Sequence, residues 1–247
     1  MTSCTPTSGK ATVFGLDSRR QSVAIRERVG NLPGEFALDD RLTGEELLRF
    51  FGKLRGVDDL SYGHRLAERL DADLSRPMRR LSRGNKQKIG LVQAMFHRPP
   101  LLILDEPTTG LDPLVQEAFL DIVQETRAEG RTVFFSSHVL SEVERVCDRI
   151  GIIREGELAA LETTASLIKK RLRRMTLRFA EPVDASLFAA LPGVEEARQD
   201  DEAVVLTVRQ DLDRVVKLVA QFPLEDMELD RPSLEEIFLT YYGGSSS

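Results

Sequence analysis

Apolar positions along the chain switch between two spacings. Leu101-Leu102-Ile103-Leu104 is an unbroken apolar run between Pro99-Pro100 and Asp105-Glu106, the pattern of a strand buried on both faces of a parallel sheet. Thr132 to Phe135 and Ala11 to Gly15 read as further strands, the second ended by its glycine. Elsewhere the spacing is helical. Leu47, Leu48, Phe50, Phe51 and Leu54 make one face of a helix that Thr43 can cap, and a second helix starts at Ser61. A third runs from Gly84 to about Phe96, with Ile89, Val92 and Phe96 along one side, until Pro99-Pro100 stop it. Asp112-Pro113 opens a fourth, with Leu114, Val115, Ala118, Phe119, Ile122 and Val123 at helical spacing and Gly130 at its end. Ser141-x-x-Glu144 reads as a capping box for a short helix, and Ile150 to Ile153 with Leu158 to Leu161 as a strand pair around Glu155-Gly156. Strands alternating with helices predict an α/β layer architecture.

The pattern changes after about Ser166. A basic helix carrying Lys169, Lys170, Arg171, Arg173 and Arg174 leads into Thr176-Leu177-Arg178-Phe179, which alternates as a half-exposed strand does. A short helix near Ala185 to Ala190, a hairpin across Gln199-Asp200-Asp201-Glu202 and a strand from Val204 to Val208 follow. A helix with Leu212, Val215, Val216, Val219 and Phe222 on one face then leads to Met227-Glu228-Leu229. This βαββαβ order suits a small ferredoxin-like α+β domain. Leu234 to Tyr242 makes a last amphipathic helix, and residues 243–247 a loose tail.

The net charge of -6 argues against sequence-independent binding to nucleic acid, which needs clustered positive charge. One basic cluster exists (Arg76, Arg79, Arg80, Arg83, Lys86, Lys88) and reads either as positive potential beside a bound anion or as a solvated face. Cys4 and Cys147 stand in no metal-ligand pattern, so a reduced, cytoplasmic protein with Cys147 as a packing residue is expected. No run approaches the ~20 apolar residues of a membrane helix.

Four segments carry the chemistry: Leu81-Ser82-Arg83-Gly84-Asn85-Lys86-Gln87, then Leu104-Asp105-Glu106-Pro107, then Gly110-Leu111-Asp112, then Ser136-Ser137-His138. Paired acids at the carboxyl end of a buried parallel strand stand where open α/β sheets collect ligands. Ser82 and Gly84 before a helix offer a hydroxyl and free N–H groups to phosphate, although the same pattern is also an ordinary cap. In this order and spacing the segments resemble the second half of an ATP-binding cassette (ABC) ATPase, the motor of a membrane transporter. The ending Pro232-Ser233-Leu234-Glu235-Glu236-Ile237-Phe238-Leu239-Thr240-Tyr241-Tyr242 resembles the drug- or polyketide-export class of bacterial subunits. The resemblance implies roles. Asp105 would hold Mg²⁺, and Glu106 would act as the base toward water, the two side chains diverging by strand alternation. His138 would contact the γ-phosphate. Ser82, Arg83 and Gly84 would meet ATP held by an opposite subunit, and Asp112 would couple the two sites. ATP and Mg are the implied ligands, with a membrane permease and a second ATPase subunit as partners at the cytoplasmic face of the plasma membrane. Arg83 and Asn85 depart from the commonest form of the signature.

The first half of such a motor is expected to be missing. No G-x-x-x-x-G-K-[ST] cradle occurs. At Gly9-Lys10, Thr5 stands in the first glycine's place, Ala11 replaces the hydroxyl residue, and a strand follows instead of a helix. Asn31-Leu32-Pro33-Gly34-Glu35 resembles the family's Q-loop, with Gly34 where glutamine usually sits and Glu35 as a substitute. The fold expected is a P-loop-type ABC ATPase core, incomplete at its N-terminus, over residues 1–165, with a helical subdomain at about 43–96 and the accessory domain at 174–242. Apolar surface should be left exposed where the missing strand and helix would sit. Two functions stay open: an ATPase subunit whose Walker A segment is not in the chain, and a non-enzymatic helper that donates its signature loop to a partner's ATP site. A DNA-repair or translation ATPase is disfavoured, because neither an inserted coiled coil nor a second cassette is present.

Overall fold

The computed structural model describes residues 8–34, 39–169, 173–209 and 211–230. The elements are β1 (Thr12–Val13), β2 (Leu16–Asp17), α1 (Ser22–Arg28), β3 (Val29–Leu32), α2 (Gly44–Arg55), α3 (Ser61–Arg69), a 3-10 turn (Met78–Arg80), α4 (Arg83–Met95), β4 (Leu101–Leu104), α5 (Pro113–Ala128), β5 (Thr132–Phe135) and α6 (Leu140–Val146). Then come β6 (Arg149–Arg154), β7 (Glu157–Thr163), α7 (Thr164–Lys169), β8 (Arg173–Phe179), α8 (Ser186–Ala189), β9 (Val194–Asp200), β10 (Ala203–Val208), α9 (Leu212–Val219) and β11 (Leu224–Asp230). The chain forms two compact units that divide between Glu142 and Val143, inside α6. It is a mixed α/β fold with a helical subdomain and a small C-terminal sheet.

In the first unit β3, β4 and β5 form a parallel sheet in that order, with Leu32, Leu104 and Phe135 in register at its carboxyl end. The ladder runs one residue further: the Asp105 amide donates to the Leu32 carbonyl and the Ser136 amide to the Leu104 carbonyl. Asp105 and Ser136 therefore leave the sheet side by side. Leu32, Leu102 and Leu104 are buried, and α4 is buried nearly all round through Ile89, Leu91, Val92, Ala94 and Met95. The expectation of a β4 closed on both faces does not hold. Leu101 and Ile103 are half-buried, and Phe134, in register with Ile103, is 68% exposed. Apolar surface is exposed there.

The helical subdomain opens with α2. The Thr43 hydroxyl accepts from the Glu46 amide while the Glu46 carboxylate accepts from the Thr43 amide, a reciprocal cap that satisfies two otherwise orphaned donors. Leu47, Met78 and Ile89 make its buried cluster, with Phe51, Leu74 and Leu81 against them. The buried arc of α2 is centred on Leu47, Leu48 and Phe51, so Phe50 and Leu54 fall beyond its edge and are exposed, contrary to the predicted five-residue face.

Three local expectations are corrected. Residues 11–15 are not one strand: β1 and β2 form a two-residue hairpin that reverses at Phe14-Gly15, both with positive φ. Ser141 and Glu144 are not a capping box, since α6 starts at Leu140 and both lie inside it. The basic stretch is not one helix, because α7 ends at Lys169 and Arg173 and Arg174 open β8.

In the second unit β6 and β7 pair antiparallel around Glu155-Gly156, as predicted. Burial pushes the Cys147 thiol up to about 11, with Asp148 adding to the effect, so it is a protonated packing residue and not a nucleophile. The segment β8-α8-β9-β10-α9-β11 makes an antiparallel sheet of order β11-β8-β10-β9, the ferredoxin-like arrangement. Met175, Leu177, Val204, Leu206 and Val208 cover one face, against Phe188 of α8 and Val215 and Val219 of α9. The predicted terminal helix and tail lie outside the described residues.

Candidate functional site

The sheet's carboxyl end projects two short loops, residues 105–112 and 136–139. Asp105 continues the β4 ladder, and Glu106 then turns into the left-handed region (φ 47). The two carboxylates diverge because of this turn, not because of strand alternation: Glu106 lies past the end of β4. A left-handed backbone costs an ordinary residue about 1 kcal/mol, so the surroundings must hold it. They do so from two sides. The Ser136 hydroxyl accepts from the Glu106 amide at 2.9 Å, and the buried Gln87 of α4 donates to the Glu106 carbonyl at 3.2 Å and the Pro107 carbonyl at 3.1 Å.

Asp105 is engaged through both oxygens. Ser136 donates to Oδ1 at 2.5 Å and the Gly34 amide to Oδ2 at 3.3 Å. A Cβ on Gly34 would stand 2.8 Å from Oδ2, so a side chain at the Q-loop position requires Asp105 or this backbone to shift. Glu35, the proposed substitute, lies outside the described residues.

Glu106 and His138 meet directly: Nδ1 lies 2.7 Å from Oε2, and Thr109 donates more weakly to the same oxygen at 3.4 Å. A carboxylate only accepts, so Nδ1 carries the proton and Nε2 is left open. Glu106 Oε1 makes no hydrogen bond among the described residues.

A second cluster gathers Ser82, Arg83, Gly84 and Asp112. The Ser82 hydroxyl caps α4 by accepting from the Asn85 amide at 3.2 Å, so the ordinary cap role and an exposed hydroxyl coexist. Gly84 is required by close approach: a Cβ there would stand 2.6 Å from the Gly110 carbonyl oxygen. Asn85 faces inward, exchanging hydrogen bonds with the Asp73 backbone. Arg83 is exposed and forms no ion pair among the described residues. Asp112 caps α5 through the Val115 amide, which, followed by Lys88, holds its carboxyl below the ordinary range. Lys88, one of the basic cluster that sequence left between positive potential beside an anion and a solvated face, is buried, with Nζ 3.2 Å from Asp71 and 3.6 Å from Asp112.

The structure thus brings Asp105, Glu106 and His138 together. It holds the signature residues in a neighbouring group, joined to the first by Gly84 and Gln87 on one face of α4. Ser136, Gln87 and Lys88 were given no site role from sequence. Spacing offers a signal only for Gln87 and Lys88, which share a helical face with Gly84 at i+3 and i+4. Among the described residues no cluster of three or more His, Cys, Asp or Glu side chains could cage a metal, and no helix is long and apolar enough to cross a membrane.

Comparison with known proteins extends this picture. A family model described as an AAA domain (putative AbiEii toxin, Type IV TA system) matches residues 13–144. A second, described as the C-terminal domain of DrrA1-3-like ATP-binding proteins, matches residues 164–242. The daunorubicin resistance ATP-binding protein DrrA3 of Streptomyces coeruleorubidus is 34% identical, over 96% of this chain and 79% of that protein. An uncharacterized ABC transporter ATP-binding protein of Alkalihalophilus pseudofirmus is 31% identical, over 96% and 91%. The ABC transporter ATP-binding protein NatA of Bacillus subtilis is 36% identical, over 62% and 65%. Relative to NatA and two further relatives, the chain spans between about half and two thirds of their length (65%, 54% and 47%). A solved ATP-binding subunit of an ABC transporter superposes with a TM-score of 0.59 at 32% identity, covering 66% of this chain and 70% of that one.

Proposed function

The chain belongs to the family of ABC transporter ATP-binding proteins, and from that premise we propose that it is a motor subunit of an exporter in which Glu106 is the base of ATP hydrolysis. ATP with Mg²⁺ is the nucleotide ligand of that family. The observation that carries the reading is the left-handed turn at Glu106. It aims the carboxylate at His138, gathers both donors on Oε2 and leaves Oε1 to take a proton from water. Asp105 suits Mg²⁺: it is a hard oxygen donor, and this metal is ordinarily held by one or two carboxylates plus substrate phosphates rather than by a protein cage. Bound there, the ion would neutralise charge developing on the phosphates. Ser136 keeps Asp105 and Glu106 in fixed relation, and His138, its Nδ1 proton committed to Glu106, presents Nε2 outward.

The 247 residues contain no phosphate cradle, so the grip on the triphosphate comes from outside them. Removing one preorganised donor of this kind costs about 3 kcal/mol, and own-site binding by these residues alone is correspondingly weak. A separate membrane permease, docked on the helical subdomain at the cytoplasmic face, and a second ATPase subunit are the partners this reading requires. The drug- or polyketide-export class is supported by the DrrA1-3-like match over residues 164–242.

The exposed cap at Ser82 favours a second reading, in which the chain lends its signature loop to a partner's ATP. Both are tested by mixing the chain with a cradle-intact ABC subunit and measuring Mg²⁺-dependent turnover. On the first reading Glu106→Gln lowers the gained turnover by about a hundredfold or more. On the second, Ser82→Arg abolishes the gain and Glu106→Gln leaves it. No gain on mixing, or a gain indifferent to both substitutions, removes both.

A further inference from the structure

Glu142, on the first turn of α6, is 5% exposed and accepts two hydroxyls on one oxygen. Thr108 donates to Oε2 at 3.1 Å and Ser137 at 3.0 Å. Thr108 is itself buried and stands two residues after Glu106; Ser137 stands one residue before His138. The Ser137 hydroxyl also accepts from the Val139 amide at 3.0 Å, which fixes the turn carrying His138. One buried carboxylate oxygen therefore ties together the two loops whose tips make the Glu106–His138 contact. Ser136 joins the same loops on the side of Asp105, through its bonds to Asp105 and to the Glu106 amide. With Ser136 at one end and Glu142 at the other, the two loops are braced across their width, and the exposed His138 ring meets Glu106 at their tips.

We propose that Glu142 is a positioning residue: its buried carboxylate sets the distance between Glu106 and His138 and so keeps the imidazole proton on Nδ1. The chemistry fits. Thr108 and Ser137 both donate to the same carboxylate oxygen, so the two loops share one acceptor. A buried acceptor of this kind is costly to lose, because Thr108 would be left with an unmet hydroxyl in the interior and Ser137 would lose its shorter bond. Free histidine has no such constraint, and its neutral ring is distributed between tautomers by its surroundings. The assignment deepens the proposed function, since Glu106 and His138 matter for turnover only on that reading. The contact itself exists without nucleotide.

The decisive experiment uses the whole chain without ligand. Long-range proton–nitrogen NMR at a pH where the rings are neutral reports the tautomer of His64, His97 and His138, with His138 assigned by its loss in His138→Gln. In the wild type His138 should be the Nδ1–H form. In Glu142→Ala it should revert to a mixture dominated by Nε2–H, while Glu142→Gln, whose amide oxygen still accepts both hydroxyls, should retain the Nδ1–H signature. Should Glu142→Ala not fold, Thr108→Val with Ser137→Ala cuts the same two bonds and should give the same shift. Where all variants fold, adding Glu142→Ala to that pair should change nothing further, as expected of groups acting as one unit. A wild-type Nδ1–H signal that survives both Glu142→Ala and the hydroxyl pair overturns the proposal. The proposed hydrolysis fails separately, by absent turnover in the mixed assembly with the tautomer pattern intact. Where turnover is present, Glu142→Ala should lower kcat about tenfold to a hundredfold with KM little changed, and Glu142→Gln should restore most of it.

Discussion

Ser136 meets two demands with one hydroxyl, donating to Asp105 and accepting from the Glu106 amide. Ser136→Ala should free the Asp105 carboxylate to rotate and leave the left-handed turn at Glu106 with one support fewer. Turnover of the mixed assembly should fall about tenfold to a hundredfold, as for other small misplacements of reacting groups. Ser136→Thr, which keeps the hydroxyl, should recover most of it. His97 behaves differently. Burial, and then the nearby charges of Arg55 and Arg131, push its imidazole from the ordinary 6.5 down to about 4. The unfolded chain therefore binds a proton more readily than the folded one between those values. The His97 contribution to stability is fullest above pH 6.5, is lost as the pH drops toward 4, and changes no further below that. Urea unfolding across this range should show the slope, and His97→Gln should flatten it.

At the scale of elements, α4 links the signature residues to the loop that carries Glu106. Gly84 meets the Gly110 carbonyl with no room for a methyl group. Gly84→Ala should destabilise by about 1–3 kcal/mol, the usual range for overpacking, read by denaturant unfolding. Thr43→Ala removes one half of a reciprocal cap on α2 and should cost about 1 kcal/mol. The two capping motifs also show what sequence could and could not reveal. Thr43 could be read as a cap from its place before the apolar face, and the structure adds Glu46 as the other half of a reciprocal box. Ser141 and Glu144 stand at the same spacing, but α6 starts two residues before such a cap would place it, after Ser137 has turned the chain by accepting from the Val139 amide. Asp105, Glu106 and His138 could be gathered from motif spacing, since strand ends fix them. The Gly34 amide on Asp105 and the Glu142 carboxylate behind Thr108 and Ser137 could not, because they arise from tertiary approach between segments with no sequence signal in common. The burial of Lys88 was not legible for a related reason: its partners Asp71 and Asp112 lie in loops that only packing brings to α4.

At the scale of the whole molecule, the chain divides into two compact units. Calorimetry should resolve two transitions. Leu206, fully buried in the C-terminal sheet, belongs to one of them. Leu206→Ala should cost about 2–5 kcal/mol and lower that transition while leaving the other in place. The βαββαβ order could be read in full, because its hairpin and helix faces are local patterns. The half-open face at Phe134 was not legible, because the alternation of exposed and half-buried residues along β5 is set by tertiary packing.

The left-handed backbone of Glu106 implies a conflict between durability and chemistry. Glycine or asparagine would sit at that position with less conformational cost, and neither brings a carboxylate within reach of His138. A population of genes propagated solely for heat resistance, with transport irrelevant to survival, should discard this glutamate early. Deep sequencing of such a population would show position 106 drifting toward Gly and Asn ahead of its neighbours.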